Sequence, residues 1–361
     1  MSHRIVREDI ATIAKNLGKD AKKFAGKTIL MSGGSGFLGK YIVGTLLHLN
    51  DTVLKKKPCR VISIDNFITG SPHPDFNYKG RSDLLEVWAD VTQPLPVRED
   101  IHYIIHGAGL ASPVYYKKFP LETIESAVTG AKNLLELARK QKHIEGFLFF
   151  SSSEIYGDPD AGSVPTPETY HGYVSSVGPR ACYDESKRLG ETISTIYWEK
   201  FGIPAKIVRP FNVFGPGMGW ADRRVLPMFA YKIIHKEPLP VHGDGVQTRT
   251  FCYITDATAG FLKVLVSGKP GEAYNIGNAD NEIGMKDLAG MFSRLGKGGR
   301  VKLIPYTANY PAGEPQRRCP GLAKAKKDLG FRARVNLKDG LSRFLLWAKN
   351  DSQYKTKAKM D

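Results

Sequence analysis

Three glycines, Gly33, Gly36 and Gly39, stand at three-residue intervals between the β-rich run KTILMS (27–32) and the helical pattern that carries GKYIVGTLL. A strand that turns straight into a helix needs residues free to take tight backbone angles, and a pyrophosphate approaches such a backbone only where no Cβ intrudes. The exposed N–H groups at the start of the helix then favour an anion. The stretch therefore constrains the chain to begin a strand–loop–helix unit suited to a dinucleotide.

The pattern continues. Candidate strands follow at RVISID (60–65), LLEVWAD (84–90), HYIIHG (102–107), GFLFFSS (146–152) and AKIVRP (205–210), separated by helical stretches such as 123–141 and 183–202. Short apolar runs alternating with longer helical patterns predict an α/β fold, a Rossmann-type doubly wound parallel sheet covered by helices. After Pro210 the regularity weakens in FNVFGPGMGWADRRVLP, which predicts a smaller mixed α/β substrate-binding lobe. The expected division is an N-terminal helical extension (1–26), a cofactor domain (27–210) with later returns around 250–268, a lobe occupying mainly 211–348, and a basic tail (349–361). Ile5, Val6, Ile10, Ile13 and Leu17 give the extension an apolar face that packs on the body or on a second subunit.

Composition narrows the classes. The 361 residues carry 42% hydrophobic and 24% charged side chains, ordinary for a globular protein, and no apolar run is long enough to insert in a membrane. The N-terminus lacks the apolar core of a secretory signal. Cys59, Cys182, Cys252 and Cys319 show no CxxC spacing, so neither a metal site nor a disulfide framework is expected, and reduced thiols suit a cytoplasmic location. The net charge of +16 is compatible with nucleic acid, an anionic surface or a polyanionic small substrate. With no nucleic-acid module in the sequence, the first is not expected.

The second candidate strand ends in Asp65, where a carboxylate hydrogen-bonds the adenosine ribose and repels a 2′-phosphate, favouring NAD over NADP. Candidate cofactor contacts are Gly33, Gly36, Phe37, Leu38 and Gly39 in the loop, Asp65 and Asn66 after the second strand, Asp90 and Val91 after the third, and the pair Tyr183 and Lys187. The spacing GxxGxxG, in place of GxGxxG, resembles the extended, sugar-nucleotide-modifying branch of the short-chain dehydrogenase/reductase superfamily.

That resemblance gives chemistry to GPRACYDESKR (178–188). Tyr183 and Lys187, four apart, share one helical face. A lysine and a cationic nicotinamide nearby would lower the phenol from its usual value of about 10, letting it take a proton from a sugar hydroxyl. The resemblance places Ser152 of FSSSEIYGDP beside the reacting hydroxyl, followed by Ser153 and Glu154 as further catalytic candidates. Ser-Glu at these two positions is similar to UDP-glucuronate decarboxylases and to GDP-mannose 4,6-dehydratases.

The text around the pair is narrower. GPRACYDESKR, HGAGLASPVYYKKFP, DNFITG, RPFNVFGPGM, DRRVLPMF and GDGVQTRTFCYITD resemble UDP-glucuronate decarboxylases, the UDP-xylose synthases, from about Lys27 to Phe331. The resemblance implies that Asn212, Arg224 and Arg249 meet the nucleotide diphosphate, that backbone near Val225 surrounds the base, and that Arg318 of EPQRRCPG binds the substrate carboxylate or supplies a proton. It also implies a homodimer built on the helices at 123–141 and 183–202. The sequence departs from the family in SPHPDFNYKGRSD (71–83), at Ala127 and in YHGYVSSVGPR, all near the expected site. An NDP-hexose 4,6-dehydratase and a C4 epimerase are the enzymatic alternatives, and a catalytically silent NAD-binding scaffold or sensor is the non-enzymatic one.

Overall fold

Side-chain direction along the strands decides which helices cover them. The computed structural model describes residues 4–306 and 315–357; the first three residues of the N-terminal extension and the last four of the basic tail lie outside these. The chain runs through α1 (Arg4–Leu17), β1 (Thr28–Ser32), α2 (Phe37–Asp51), β2 (Arg60–Asp65), β3 (Leu84–Trp88), β4 (Tyr103–His106), α3 (Pro113–Lys118), α4 (Pro120–Arg139), β5 (Gly146–Phe150), α5 (Ala181–Phe201) and β6 (Ala205–Pro210). It continues with β7 (Val213–Phe214), α6 (Val225–Ile234), β8 (Leu239–His242), β9 (Thr248–Thr250), β10 (Cys252–Tyr253), α7 (Ile254–Ser267), β11 (Ala273–Ile276), β12 (Glu282–Gly284) and α8 (Met285–Gly296). Last come β13 (Val301–Ile304), β14 (Arg317–Arg318), α9 (Ala323–Leu329), α10 (Leu337–Ala348) and α11 (Ser352–Lys355).

Seven parallel strands form one sheet in the order β11-β6-β5-β4-β1-β2-β3. The α/β reading therefore holds, with a doubly wound sheet whose direction of winding reverses between β1 and β4. In β1, Ile29 and Met31 join the core shared with α1, α2 and α7, while Leu30 between them joins the core of α4 and α5. In β5, Leu148 and Phe150 take the first side, Phe147 and Phe149 the second. Period-two alternation with both faces buried is what a strand between two helical layers requires.

The switch between β1 and β4 opens a crevice at the carboxyl ends of the strands, where ligands of such sheets bind. The turn after β1 holds the three glycines, the turn after β4 holds Gly107 and Gly109, the turn after β5 holds Ser152, and Asn212 follows β6. Three small sheets, β7 with β10, β12-β9-β14, and β8 with β13, build the lobe on the far side of the crevice. Arg318 of β14 lies in register with Arg249 of β9.

Helix α1 packs on α2 and α7 of its own chain, burying Ile5, Val6, Ile10, Ile13 and Leu17. Part of the basic C-terminal stretch is also folded: the Tyr354 hydroxyl donates to the Met218 carbonyl at 2.7 Å, and His73 pairs with Asp351 at 2.8 Å. Trp347 Nε1 donates to Asp75 at 2.8 Å. The segment that departs from the family pattern is thus fastened to the C-terminal helices.

Candidate active site

The glycine loop needs its glycines for space. A Cβ on Gly39 would lie 2.1 Å from the Gly33 carbonyl oxygen, and one on Gly33 would lie 2.8 Å from the Ala108 nitrogen. Gly33 also has a φ of +76°, in the left-handed region. Gly36 occupies the N-cap of α2 and offers no side chain to the helix start. The first turn of α2, at Phe37, Leu38 and Gly39, therefore begins without a side-chain cap on the wall of the cavity, the kind of helix start that a pyrophosphate favours.

Asp65, at the end of β2, is braced from both sides: Oδ2 accepts from the Ser35 N–H at 2.9 Å and Oδ1 from the Phe67 N–H at 2.8 Å. Asn66 Nδ2 donates to Asp90 Oδ2 at 2.9 Å, and the N–H and hydroxyl of Thr92 both donate to Asp90 Oδ1 at 2.8 Å. Burial works to raise the Asp90 pKa, but the donations from Thr92 and Asn66 hold it below its ordinary value. Asp65, Asn66, Asp90 and Val91 line a cavity of about 110 Å³, which shares Gly33, Gly36, Gly107 and Gly109 with a larger one of about 650 Å³. The uncapped helix start, the anchored carboxylate and the side cavity fit NAD.

The larger cavity is lined by all the remaining candidates: Phe37, Leu38 and Gly39, Ser152, Ser153 and Glu154, Tyr183 and Lys187, Asn212, Arg224, Val225, Arg249 and Arg318. Ser152 caps the short turn Ser153–Tyr156, its hydroxyl oxygen accepting from the Glu154 N–H at 3.2 Å. The Tyr183 phenol is lifted above its ordinary value by burial, while a hydrogen bond from the Ser152 hydroxyl and the charges of Arg224 and Arg180 pull it down.

Lys187 shares a buried face of α5 with Tyr183 and reaches on to the strand behind it. Its Nζ donates to the Phe150 carbonyl at 2.8 Å and lies 5.8 Å from the centre of the Tyr183 ring. Burial pushes the amine down to about 8 against the opposing charge of Glu191. The lysine thus joins the end of β5 to α5, fixing Tyr183 against the strand that delivers Ser152.

The arginines are paired. Arg224 Nη2 donates to Asp222 Oδ2 at 2.6 Å, Arg249 Nη1 to the Thr248 carbonyl at 2.8 Å, and Asn212 Nδ2 to the Thr250 carbonyl at 2.9 Å. Arg318 forms a two-pronged pair with Glu154, in which Nη2 is 2.9 Å from Oε2, and Arg180 pairs with the same carboxylate. The sequence reading did not single out Arg180 or Tyr116. Yet Arg180 stands three residues before Tyr183, and the Tyr116 ring stacks on that of Tyr183 with centroids 5.5 Å apart. Gln353 of α11 also lines the cavity, and nothing in its lysine-rich surroundings signalled that.

Among the described residues no group of three or more His, Cys, Asp or Glu side chains is placed to hold a metal, and no helix is long and apolar enough to cross a membrane.

Comparison with known proteins agrees with the geometry. Residues 29–277 match the model of the NAD dependent epimerase/dehydratase family. UDP-glucuronic acid decarboxylase 3 of Arabidopsis thaliana is 37% identical over 314 residues, 87% of this chain and 86% of that one. UDP-glucuronic acid decarboxylase 1 of Xenopus tropicalis is 34% identical over 329 residues, 91% and 73% of the two chains. Among solved structures, the dTDP-glucose 4,6-dehydratase DesIV of Streptomyces venezuelae, with NAD and TYD bound, superimposes with a TM-score of 0.78 at 24% identity, covering 90% of this chain and 97% of that one. The epimerase Mth375 of Methanothermobacter thermautotrophicus gives 0.78 at 25% identity, covering 92% and 95%.

Proposed function

The chain belongs to the NAD dependent epimerase/dehydratase family, and from that premise we propose that it decarboxylates UDP-glucuronate to UDP-xylose. The observation that carries this reading is the grouping of Ser152, Tyr183 and the Arg180–Glu154–Arg318 cluster on one cavity that opens onto the glycine loop. It combines a hydroxyl-oxidising pair with cationic groups suited to a carboxylate, and the relatives at 34–37% identity bear the same activity in their names.

Bound against the glycine loop, Asp65, Asn66, Asp90 and Val91, NAD supplies a hydride acceptor that is regenerated at the end of the cycle. Tyr183 takes the proton of the sugar C4 hydroxyl at its phenolic oxygen, with Ser152 hydrogen-bonded to the same centre. The C4 ketone stands β to the carboxylate, so the bond between C5 and C6 breaks with its electron pair passing into an enolate as CO2 leaves. Ser152 and Tyr183 stabilise the oxyanion at O4. C5 then takes a proton, C4 is reduced again, and Tyr183 returns the hydroxyl proton. Lys187 positions Tyr183 from the Phe150 carbonyl. Asn212, Arg224 and Arg249, with backbone at Val225, hold the nucleotide diphosphate and base, arginine forks matching phosphate oxygens.

A 4,6-dehydratase of the dTDP-sugar kind uses the same first step but needs an acid at the position of Ser153 to protonate the leaving hydroxyl; GDP-mannose 4,6-dehydratases share the Ser-Glu pair, and against them it is the Arg180–Glu154–Arg318 cluster, suited to a carboxylate, that favours decarboxylation. We also propose a homodimer through α4 and α5, whose outer faces expose Leu121, Ile124, Leu189 and Ile196. A substrate panel with NAD tests the reading: UDP-glucuronate should release CO2, and dTDP-glucose and UDP-glucose should be recovered unchanged. Dehydration of a hexose or C4 epimerisation without CO2 release would contradict it.

A further inference from the structure

Glu154 is held more tightly than a proton-transfer group requires. Arg318, only 4% exposed at its side chain, grips the carboxylate with both terminal nitrogens. Arg180, at the N-cap of α5, reaches the same carboxylate from the opposite element, and its Nε lies 3.5 Å from Asp184 Oδ2. One guanidinium fork and a second guanidinium converging on two carboxylate oxygens form an anion site, because the planar forks match a carboxylate. Glu154 follows Ser152 by two residues in the same turn, so this anion site adjoins the place where the reacting hydroxyl must sit.

We infer that Arg180 and Arg318 form the receptor for the sugar's carboxylate, and that Glu154 fills it as an internal anion which the substrate displaces. The inference rests on the decarboxylase reading above and assigns Arg180 as a specificity-determining residue. A sugar carboxylate has the charge and two-oxygen geometry of the group it replaces. A neutral hydroxymethyl has neither, and leaves Glu154 in place. The displacement also serves the reaction. Two arginines alone would hold a carboxylate against conversion to neutral CO2, whereas a nearby Glu154 takes back the guanidiniums as the negative charge moves from the carboxylate to O4. No atom is gained or lost in that exchange, since the departing charge ends on the enolate oxygen and Glu154 restores the original pairs.

The test measures binding to the full-length, NAD-loaded chain in a Tyr183→Phe background, in which turnover is slowed. Titration calorimetry compares UDP-glucuronate with UDP-glucose. Adding Glu154→Gln removes the internal anion at nearly constant size and should tighten UDP-glucuronate by about tenfold, the scale of one charge-assisted hydrogen bond, with UDP-glucose unchanged. Adding Arg180→Lys, which keeps the charge but loses the fork, should weaken UDP-glucuronate severalfold and again leave UDP-glucose unchanged. Arg180→Ala should do so more strongly. Equal effects on both ligands, or no tightening with Glu154→Gln, overturn the inference while CO2 release by the unmutated chain leaves the decarboxylase reading standing. Absence of CO2 release by the unmutated chain overturns both.

Discussion

At the scale of single residues, the proposed reaction rests on Tyr183, with Ser152 lining the same cavity. Tyr183→Phe removes only the phenolic oxygen, and should lower kcat by about 10²–10⁴-fold. A variant that kept its turnover would show that another group takes the proton. His106, buried at the end of β4, makes a different prediction. Its Nε2 donates to the Ser126 carbonyl at 3.0 Å and its Nδ1 meets the Ser32 hydroxyl at 2.9 Å. Burial, and then the charge of Lys187, push its pKa down to about 3. The unfolded chain takes up that proton near pH ~6.5. Between these values the unfolded chain binds more protons, so stability falls as pH falls, by about 1.4 kcal/mol per unit from this group. Chemical denaturation from pH 6.5 downward should show a limb shallower by one proton in His106→Gln, and an unchanged slope would contradict the assignment. Tyr183 and Lys187 were legible as candidates from their shared helical face together with the family resemblance, and Ser152 from the resemblance alone. The role of Lys187 as a brace to the Phe150 carbonyl was not, because it depends on how α5 meets β5 across the sheet.

At the scale of elements, the strand–glycine–helix unit is the part most fully written in the sequence. A run of apolar β-formers, a turn that tolerates no Cβ and a helix beginning at Phe37 leave few alternatives. Gly39→Ala should therefore weaken NAD binding by about tenfold or more, since its methyl would overlap the Gly33 carbonyl. Fluorescence titration with NADH checks this, and an unchanged affinity would remove the loop from the cofactor site. The candidate strands of the main sheet were legible for the same reason of patterning. The two-residue pairs of the lobe were not: β7, β10 and β14 are too short to show a period, and their pairing is set by tertiary contacts. Yet β14 beside β9 is what brings Arg318 next to Arg249, so the least legible elements deliver part of the candidate site.

At the scale of the whole molecule, the first and last described helices, α1 and α11, are both built into the body. Arg343 of α10 donates to Asp9 Oδ1 at 2.8 Å while the Tyr253 hydroxyl donates to Asp9 Oδ2 at 2.7 Å, locking α1 over α7. Burial nevertheless holds the Asp9 carboxyl up at about 6, with Arg343 and Tyr253 opposing it. The apolar stripe of α1 was readable in sequence, but its partner was not, because a stripe states only that something must cover it. The other end fastens the 71–76 segment to α10 and α11 and brings Gln353 to the cavity wall. Part of the excess of basic residues proves to face the ligand cavity, at Arg180, Arg224, Arg249 and Arg318, which suits a small polyanion. The central proposal is oxidation and reduction at one carbon, with CO2 lost in between. Turnover of UDP-[4-²H]glucuronate in ordinary water tests that directly by mass spectrometry of the product. A pentose nucleotide lighter by one CO2 that keeps its deuterium at C4 is the predicted result. A product that retains its carboxylate, or one that has lost the label, would contradict it.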